Sequence, residues 1–481
     1  MRLLLVVFGI GAAFWAFRNW RLAVQASLVL LVLEGAIRKW LFLGAQDLIY
    51  FAKDALLLAA FAGFWMESRR RGRSWRPKEP VLYGSVVLAA AFGMLQVFNP
   101  ELPSLPVGVL GFKSYFLYVP LLFVLPNLFT TDAALAQALR RFLLLAIPVG
   151  LLAVAQFFSS STSALNTYAR PTDSLTSASA ITFGTSTFVR VTATFSFITG
   201  YSAYLVTIAL LALAWLAATR WRVRGNVEIF AVLGITLLGM LMTGSRGPVV
   251  LLAALFPLYW WLSVAREKQS GATFGRLLVG LVLLGGFLVF VGRDALGAFQ
   301  GRAAGSGSEM AARLLTPLRA PYVTLPRAGL LGYGIGSTHQ AAPTLAPPGL
   351  VPFSWLGAGN IEVETGRIML ELGPVGFVLV YLSRLVLTFT ALRHALRLRT
   401  LFHRSIAVAC FLALLAAIPG GVVFDVTSGL LYWLCGGLLF LVVRLDEDAV
   451  RAAQRAARAA AAAAAAPAGP PTPVPVRARP A

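Results

Sequence analysis

Long apolar runs alternate with short polar stretches along most of the chain. A helix that crosses a bilayer needs about 20 mostly apolar residues, because it rises about 1.5 Å per residue through a hydrocarbon layer about 30 Å thick. We therefore predict an all-α, polytopic integral membrane helix bundle with about 12–13 transmembrane helices. The predicted spans are 2–17, 21–37, 47–66, 81–98, 110–129, 138–158, 197–218, 227–243, 247–265, 276–292, 367–390, 403–420 and 427–444.

The composition supports one membrane bundle over several soluble domains. The 481 residues are 58% hydrophobic and 12% charged, with a mean hydropathy of +0.78. Soluble domains are about half apolar and about a quarter charged. Cys410 and Cys435 lie inside apolar runs, which is typical of packing residues. The three histidines lack the spacing of metal ligands, so we predict neither a metal site nor a cofactor.

Positive charge is concentrated in alternate loops, for example within 69–78, 220–224 and 393–404, and it dominates the net charge of +22. Short basic loops stay on the cytoplasmic side of a membrane. We therefore predict a multi-pass protein of the bacterial inner (cytoplasmic) membrane, with a periplasmic N-terminus and a cytoplasmic C-terminus. The basic residues form no single stripe with interleaved aromatic residues, which argues against a nucleic-acid partner.

The bundle is predicted to occupy residues 1–444, and residues 445–481 form a disordered cytoplasmic tail rich in Arg, Ala and Pro. Two long loops, 159–196 and 293–366, fall on the predicted periplasmic side. Long loops in compact proteins are commonly functional. Any chemistry is therefore expected at the periplasmic membrane surface.

Charged residues occur at the ends of the second and third predicted spans. Glu34, Arg38 and Lys39 lie in LEGAIRKW, and Lys53 and Asp54 lie in DLIYFAKD. An ionisable group in hydrocarbon costs about 2.5–3.5 kcal/mol on insertion scales, so it indicates a function by default. We predict an intramembrane charge network of these five residues. A purely structural set of ion pairs between neighbouring helices is the alternative.

The turn MTGSRGPVV between two predicted spans carries Arg246. Gly244 and Gly247 leave the backbone accessible, Ser245 can cap a helix, and Pro248 suits a first helical turn. An arginine beside the N–H groups of a helix start favours an anion, especially phosphate. An arginine that only anchors the helix at the interface is the alternative.

Two further arginines lie in or beside the long loops. Arg190 precedes VTATFSFITGYSAYL, where the first long loop re-enters the membrane, and Arg313 lies in SEMAARLL, a candidate amphipathic helix. Three arginines on one surface would hold a diphosphate. The alternative for Arg190 and for Arg313 is an ordinary solvated residue. Whether the three arginines meet on one surface does not follow from sequence alone.

The second long loop also contains candidate acid–base groups. His339 lies in GYGIGSTHQ, and Glu362, Glu364 and Arg367 lie in NIEVETGRIML, just before a predicted span. A partly desolvated acid near arginines suits a general base. The alternatives are an ordinary loop histidine and charges that anchor the helix at the interface.

At these residues the sequence resembles the O-antigen ligase and O-antigen polymerase superfamily of membrane glycosyltransferases. The segments TGSRGPVVLLAALF, RVTATFSFITGYSAYL and EVETGRIMLELGPVGF carry the resemblance, in the same order and on the same predicted side. The segments EGAIRKW and FAKD are similar to an exopolysaccharide polymerase-like subgroup. Ligases of the superfamily commonly carry a histidine where this chain has Glu362, which favours polymerisation over ligation.

The resemblance implies a metal-independent transferase whose donor is a polyprenyl-diphosphate-linked glycan. It implies that Arg190, Arg246 and Arg313 bind the diphosphate and that Arg367 supports the site. Glu362 or Glu364 would be the base, with His339 as the second choice. The expected partners are the lipid bilayer, the lipid-linked glycan and other membrane proteins of polysaccharide assembly.

Two other classes remain open. A transporter or flippase of lipid-linked glycan would use similar arginines, with charges distributed near the midplane of several spans. A scaffold subunit of an envelope complex would need no Arg and Glu clustered at one outer cavity. Most charge outside the basic loops falls in outer loops or helix ends, which favours chemistry at the surface.

Overall fold

A computed structural model gives the architecture of the chain. It describes all residues except 1, 43–45, 73, 168–180, 184–187, 266–270, 272–274, 277–278, 281–284, 287–289, 291, 305–306, 348–362 and 466–481, and it leaves undescribed the side chains of 2–6, 47–48, 301–304, 307–314 and 462–465. The described part is built from helices, with one isolated bridge between Thr182 and Val189.

The helices follow one another with short connections. They are α1 (Arg2–Arg18), α2 (Trp20–Ala36), α3 (Gln46–Arg71), α4 (Pro80–Gln96), α5 (Leu105–Phe116), α6 (Leu121–Val124), α7 (Asp132–Leu144), α8 (Ala146–Phe158), α9 (Ile198–Ala218), α10 (Val227–Met242), α11 (Arg246–Ser263), α12 (Arg293–Ala304), α13 (Gly307–Ala328), α14 (Ala342–Leu345), α15 (Glu364–Arg397), α16 (Leu401–Ala416) and α17 (Val426–Ala465). A π-helical turn, Ile37–Leu41, directly extends α2.

Within the described ranges, eight helical stretches are long and apolar enough to cross a membrane, and four further apolar helices are shorter. These twelve stretches coincide with all predicted spans except 276–292, most of which lies outside the described residues. Large side chains such as Phe8, Phe98 and Phe389 remain exposed on the bundle, as expected of surfaces that face lipid. The predicted all-α polytopic membrane bundle is confirmed.

Two long apolar helices, α9 and α17, lie at the centre. In α9, 78% of the spanning window is buried and in α17 the share is 83%, whereas in α3 it is 33%. Two helices surrounded on all sides can be apolar all round, because no face meets water. The less buried helices α2, α3 and α15 carry buried charges, which are described below.

The two ends of the bundle differ in charge. At the arginine-rich end, defined by 69–71, 220–224 and 393–404, ion pairs join neighbouring helices. Glu79 binds Arg393 and His394, and His403 lies between Asp132 and Asp446, as the ion-pair geometry shows. We name the opposite end the loop end and define it by 37–42, 97–104, 188–197, 330–347 and 417–425.

The two predicted loops contain more structure than expected. Residues 293–366 include α12, α13 and α14. Along α13 the small residues Ala320, Thr324 and Ala328 are buried at a four-residue spacing, which lets this helix pack closely against α15. Near the end of the other loop, Val191–Phe195 is buried throughout, because it passes between the ends of α2 and α10.

Candidate functional site

Helix α15 consists of two helices that meet at a sharp reversal. Gly373 has φ 62° and ψ −177°, and Pro374 follows it. A left-handed backbone here suits glycine, because a side chain would collide with the carbonyl of Leu330. The segment Glu364–Leu372 is buried and ends at this reversal, from which the long span continues.

An ion pair shows that the first segment folds back along the span. The carboxylate of Glu364 lies 2.8 Å from the guanidinium of Arg384, and both side chains are 3% exposed. Arg384 lies about 16 Å along the helix from Gly373, which is about half the hydrocarbon thickness. The sequence predicts Glu364 just before the entrance of a span. In the structure it instead lies deep beside the span.

The other oxygen of Glu364 is also engaged. Its Oε2 accepts hydrogen bonds from the backbone N–H groups of Val423 at 2.8 Å and Phe424 at 3.4 Å. Glu364 therefore ties the start of the short helix both to the span and to the loop before α17. A carboxylate held by a guanidinium and two amides is fixed in position.

Two turns further on, Glu371 is fully buried and its carboxylate accepts hydrogen bonds. They come from the Tyr115 hydroxyl at 2.8 Å, the Thr338 hydroxyl at 2.6 Å and the Thr338 amide at 3.0 Å. Arg367 donates to the hydroxyl and carbonyl oxygens of Thr338, and its guanidinium lies 3.6 Å over the ring of Phe424. Glu371 and Arg367 thus fix the 330–347 loop against the short helix.

His339 follows Thr338 in that loop. Its Nδ1 accepts the backbone N–H of Ala341 at 3.1 Å. Burial, assisted by the positive charges of Arg367 and Lys113, lowers the pKa of His339 to about 4. The imidazole is therefore neutral at neutral pH, and with Nδ1 occupied as an acceptor it presents Nε2–H as a donor. This arrangement suits donation to an anion or hydroxyl better than proton abstraction.

Four members of the predicted charge network come together between α2, α3 and α5. Lys53, which is fully buried, lies 2.6 Å from Glu34 and 3.8 Å from Asp54. Arg38 lies 3.7 Å from Glu34. Lys113, which the sequence reasoning missed, lies 2.6 Å from Asp54.

Lys39, the fifth predicted member, lies elsewhere. Its ammonium donates to the Thr192 hydroxyl at 3.1 Å, the Ala193 carbonyl at 2.7 Å and the Phe195 carbonyl at 2.8 Å. Neighbouring residues of a helix project about a quarter-turn apart, so Lys39 points away from the face on which Arg38 meets Glu34. Lys39 is therefore bound to the buried segment of the first loop and separate from the ion pairs of α3.

Two of the three arginines predicted for diphosphate binding, Arg190 and Arg246, flank one turn. The Nε atom of Arg190 donates to the carbonyl of Thr243 at 2.9 Å, and the amide of Val191 donates to the carbonyl of Met242 at 3.2 Å. Helix α11 begins at Arg246, three residues after Thr243, and Ser245 is its N-cap residue. The Ser245 side chain makes no capping hydrogen bond, in contrast to the expectation.

Two predicted site residues are beyond what the structure describes. Glu362 lies outside the described residues. The backbone of Arg313 belongs to helix α13, in line with the expected helix, but its side chain lies outside the described part.

Asp425 is a further acid that the sequence reasoning did not single out. It precedes α17, where its carboxylate accepts the Thr427 amide at 3.1 Å and the Ser428 hydroxyl at 2.8 Å. Burial raises the pKa of Asp425 to about 6, the two hydrogen bonds oppose this rise, and the nearby charge of Glu364 adds to it. Asp425 therefore exchanges its proton close to neutral pH.

Contacts join these groups at the loop end. Arg38 donates to the hydroxyl of Ser196 at 3.2 Å, which connects the charge network to the Arg190 segment. A side chain at Gly200 would lie 3.5 Å from Asp425, and Glu364 binds the same loop as Asp425. The structure thus places the start of helix α11 and a buried set of acids and bases at one end of the bundle.

Three buried charged residues that the sequence analysis did not single out could have been recognised from their positions. Lys113, Glu371 and Arg384 all fall inside predicted spans, where an ionisable residue indicates a function or a buried partner. Over the described ranges, no group of three or more His, Cys, Asp or Glu side chains has the arrangement of a metal site.

The sequence was compared with protein-family models and with curated proteins. No protein-family model matches the sequence, and no curated protein is significantly similar to it.

Proposed function

We propose that the protein is a membrane glycosyltransferase that polymerises or transfers polyprenyl-diphosphate-linked oligosaccharide at the periplasmic face, during the biosynthesis of a cell-surface polysaccharide such as O-antigen or exopolysaccharide. One observation carries the proposal. Arg190 hydrogen-bonds to the carbonyl of Thr243, so it lies at the turn from which Arg246 starts helix α11. Two arginines at one helix start suit a diphosphate, whose charge the helix N–H groups also stabilise.

The reaction places specific demands on the site. An acceptor hydroxyl oxygen attacks the anomeric carbon of the donor, the bond from that carbon to the diphosphate oxygen breaks, and the electron pair leaves with the diphosphate. The acceptor proton passes to a base. The protein must therefore stabilise negative charge on the diphosphate and accept one proton, and it needs no metal for either task.

The contacts redistribute the roles expected of the acidic residues. Glu364 is held by Arg384 and two backbone amides, so we assign it to positioning the start of the short helix. Glu362, two residues earlier, stays the proposed base. His339 is neutral and presents a donor, so we assign it to hydrogen bonding with substrate. Arg367 supports the loop that carries His339.

The difference between the two ends supports the proposed orientation. The arginine-rich end corresponds to the cytoplasm, and the loop end corresponds to the periplasm of a bacterial inner membrane. In the proposed orientation the N-terminus lies in the periplasm and the C-terminal end of α17 lies in the cytoplasm. The donor would then reach the site from the outer leaflet.

A flippase or transporter of lipid-linked glycan is the second candidate, and one observation favours it. Ion pairs lie inside the spans, between Lys53 and Glu34 and between Arg384 and Glu364. Charges buried in spans are typical of transport pathways. In this chain, however, each of these cations has a carboxylate partner at short distance, which equally suits a fixed scaffold.

Reconstitution separates the two candidates. Purified protein in vesicles is supplied with a polyprenyl-diphosphate-linked oligosaccharide, and both new glycosidic bonds and movement between leaflets are measured. We expect bond formation, and a loss of at least about 100-fold in Arg190→Ala and Arg246→Ala, because each removes charge stabilisation. The matched control Arg224→Ala, an exposed arginine of the other end, should keep the wild-type rate. Leaflet movement without bond formation would contradict the proposal.

A further inference from the structure

The segment that carries Arg190 contains a strained residue. Ala193 is fully buried and has φ 48°, in the left-handed region that residues with a side chain rarely adopt. Such backbone persists only where the surrounding structure holds it in place. The groups around Ala193 should therefore reveal what holds the segment.

Lys39 holds the segment from one side. Its ammonium donates to the carbonyls of Ala193 and Phe195 and to the hydroxyl of Thr192, and its side chain is buried. All three acceptors are neutral oxygens, so Lys39 holds the segment through hydrogen bonds and not through an ion pair.

Gln156, on α8, holds the segment from the other side. Its Oε1 accepts the amide of Ala193 at 2.7 Å, and its Nε2 donates to the carbonyls of Leu165 at 2.8 Å and Ala193 at 3.3 Å. Both peptide groups of Ala193 are therefore bonded to buried side chains. Gly35 of α2 completes the contact, because any side chain there would collide with the carbonyl of Thr194.

We propose that Lys39 and Gln156 form a clamp that holds the segment Thr192–Phe195 in its strained shape and thereby positions Arg190 beside the turn of Arg246. Lys39 is a positioning residue that acts through Arg190. The role in donor binding rests on the proposed function, whereas the clamp itself does not.

Thiol labelling tests the clamp directly. Thr194 is 6% exposed and its hydroxyl has no hydrogen-bond partner among the described residues, so Thr194→Cys removes no hydrogen bond. Cys410 and Cys435 are buried, which keeps the background low. In the purified full chain, Lys39→Met should speed maleimide labelling of Thr194→Cys by about tenfold or more, since labelling reports local opening.

A second variant and a control make the result decisive. Gln156→Leu breaks the clamp from the other side and should speed labelling similarly. Ser27→Ala, which removes a buried hydroxyl bonded within α2 itself, should leave the labelling rate unchanged. A rate within about twofold of the parent in both clamp variants would overturn the proposal, because local opening would then be independent of the clamp.

Kinetics with the lipid-linked donor separates positioning from general instability. Lys39→Met should raise the donor KM by about tenfold while kcat stays within about threefold, because a misplaced Arg190 weakens binding before it affects the chemical step. Unaltered KM with faster labelling would overturn the role in donor binding. Absence of transfer by the wild-type protein would remove the proposed function but leave the labelling result valid.

Discussion

The carboxylate of Glu364 lies 2.8 Å from the guanidinium of Arg384, although a straight helix between them would separate them by about 30 Å. The reversal at Gly373 makes this contact possible. It produces a short buried helix that begins deep beside the span and ends at the loop end. Backbone of this kind is tolerated at membrane depth where it is buried in protein.

Breaking this ion pair should be costly. Arg384→Met or Glu364→Leu alone leaves one buried charge uncompensated, so each should destabilise the protein by about 3–5 kcal/mol. The double variant should recover much of the loss, because no charge remains without its partner. Thermal unfolding in detergent across the four proteins measures the coupling. Losses that simply add would contradict a direct pair.

Ala193 and Ala212 should respond oppositely to glycine. Ala193→Gly relieves a left-handed backbone, so we expect unchanged or higher thermal stability. Ala212→Gly, at a buried site in the middle of helix α9, should lower stability by about 1 kcal/mol. Thermal unfolding in detergent gives both values. Equal losses at the two positions would argue against strain at Ala193.

A lysine at position 246 should not restore the full affinity for the donor. Arg246→Lys keeps the positive charge but lacks the planar fork that binds two phosphate oxygens, so we expect the donor KM to rise by about tenfold. The corresponding change at an exposed site, Arg224→Lys, serves as the control. Wild-type kinetics in Arg246→Lys would indicate that this residue contributes only a point charge.

His339 should make stability depend on pH. Its folded pKa of about 4 lies below the ordinary value of 6.5, so between these pH values the unfolded chain binds a proton that the folded chain does not. Stability should therefore fall as the pH falls from about 6.5 to about 4. His339→Gln should flatten this slope in thermal unfolding measured at several pH values. An unchanged slope would contradict a buried neutral imidazole.

Asp425 should act in the opposite direction. Its folded pKa of about 6 lies above the ordinary value of 3.8, so the folded chain holds the proton more tightly. Its contribution to stability is present at low pH and is lost as the pH rises through about 6. Asp425→Asn should therefore steepen the rise of stability between pH 4 and pH 6, about the window in which His339→Gln flattens it. Parallel slopes in the two variants would contradict these assignments.

The sequence by itself determined the membrane architecture. A span must satisfy its own backbone hydrogen bonds in hydrocarbon, so it appears as a continuous apolar run that can be recognised locally. The same reasoning indicated Arg246 at a helix start and the charged ends of α2 and α3. These properties depend on residues that are close together along the chain.

Only the tertiary structure decided which charges meet. Glu364 reaches Arg384 through the reversal at Gly373, and Lys39 reaches Ala193 because the first loop passes between two helix ends. Both contacts join residues that are far from each other along the chain or along a straight helix. They depend on backbone reversals and packing, whose direction no local pattern of apolar and polar residues specifies.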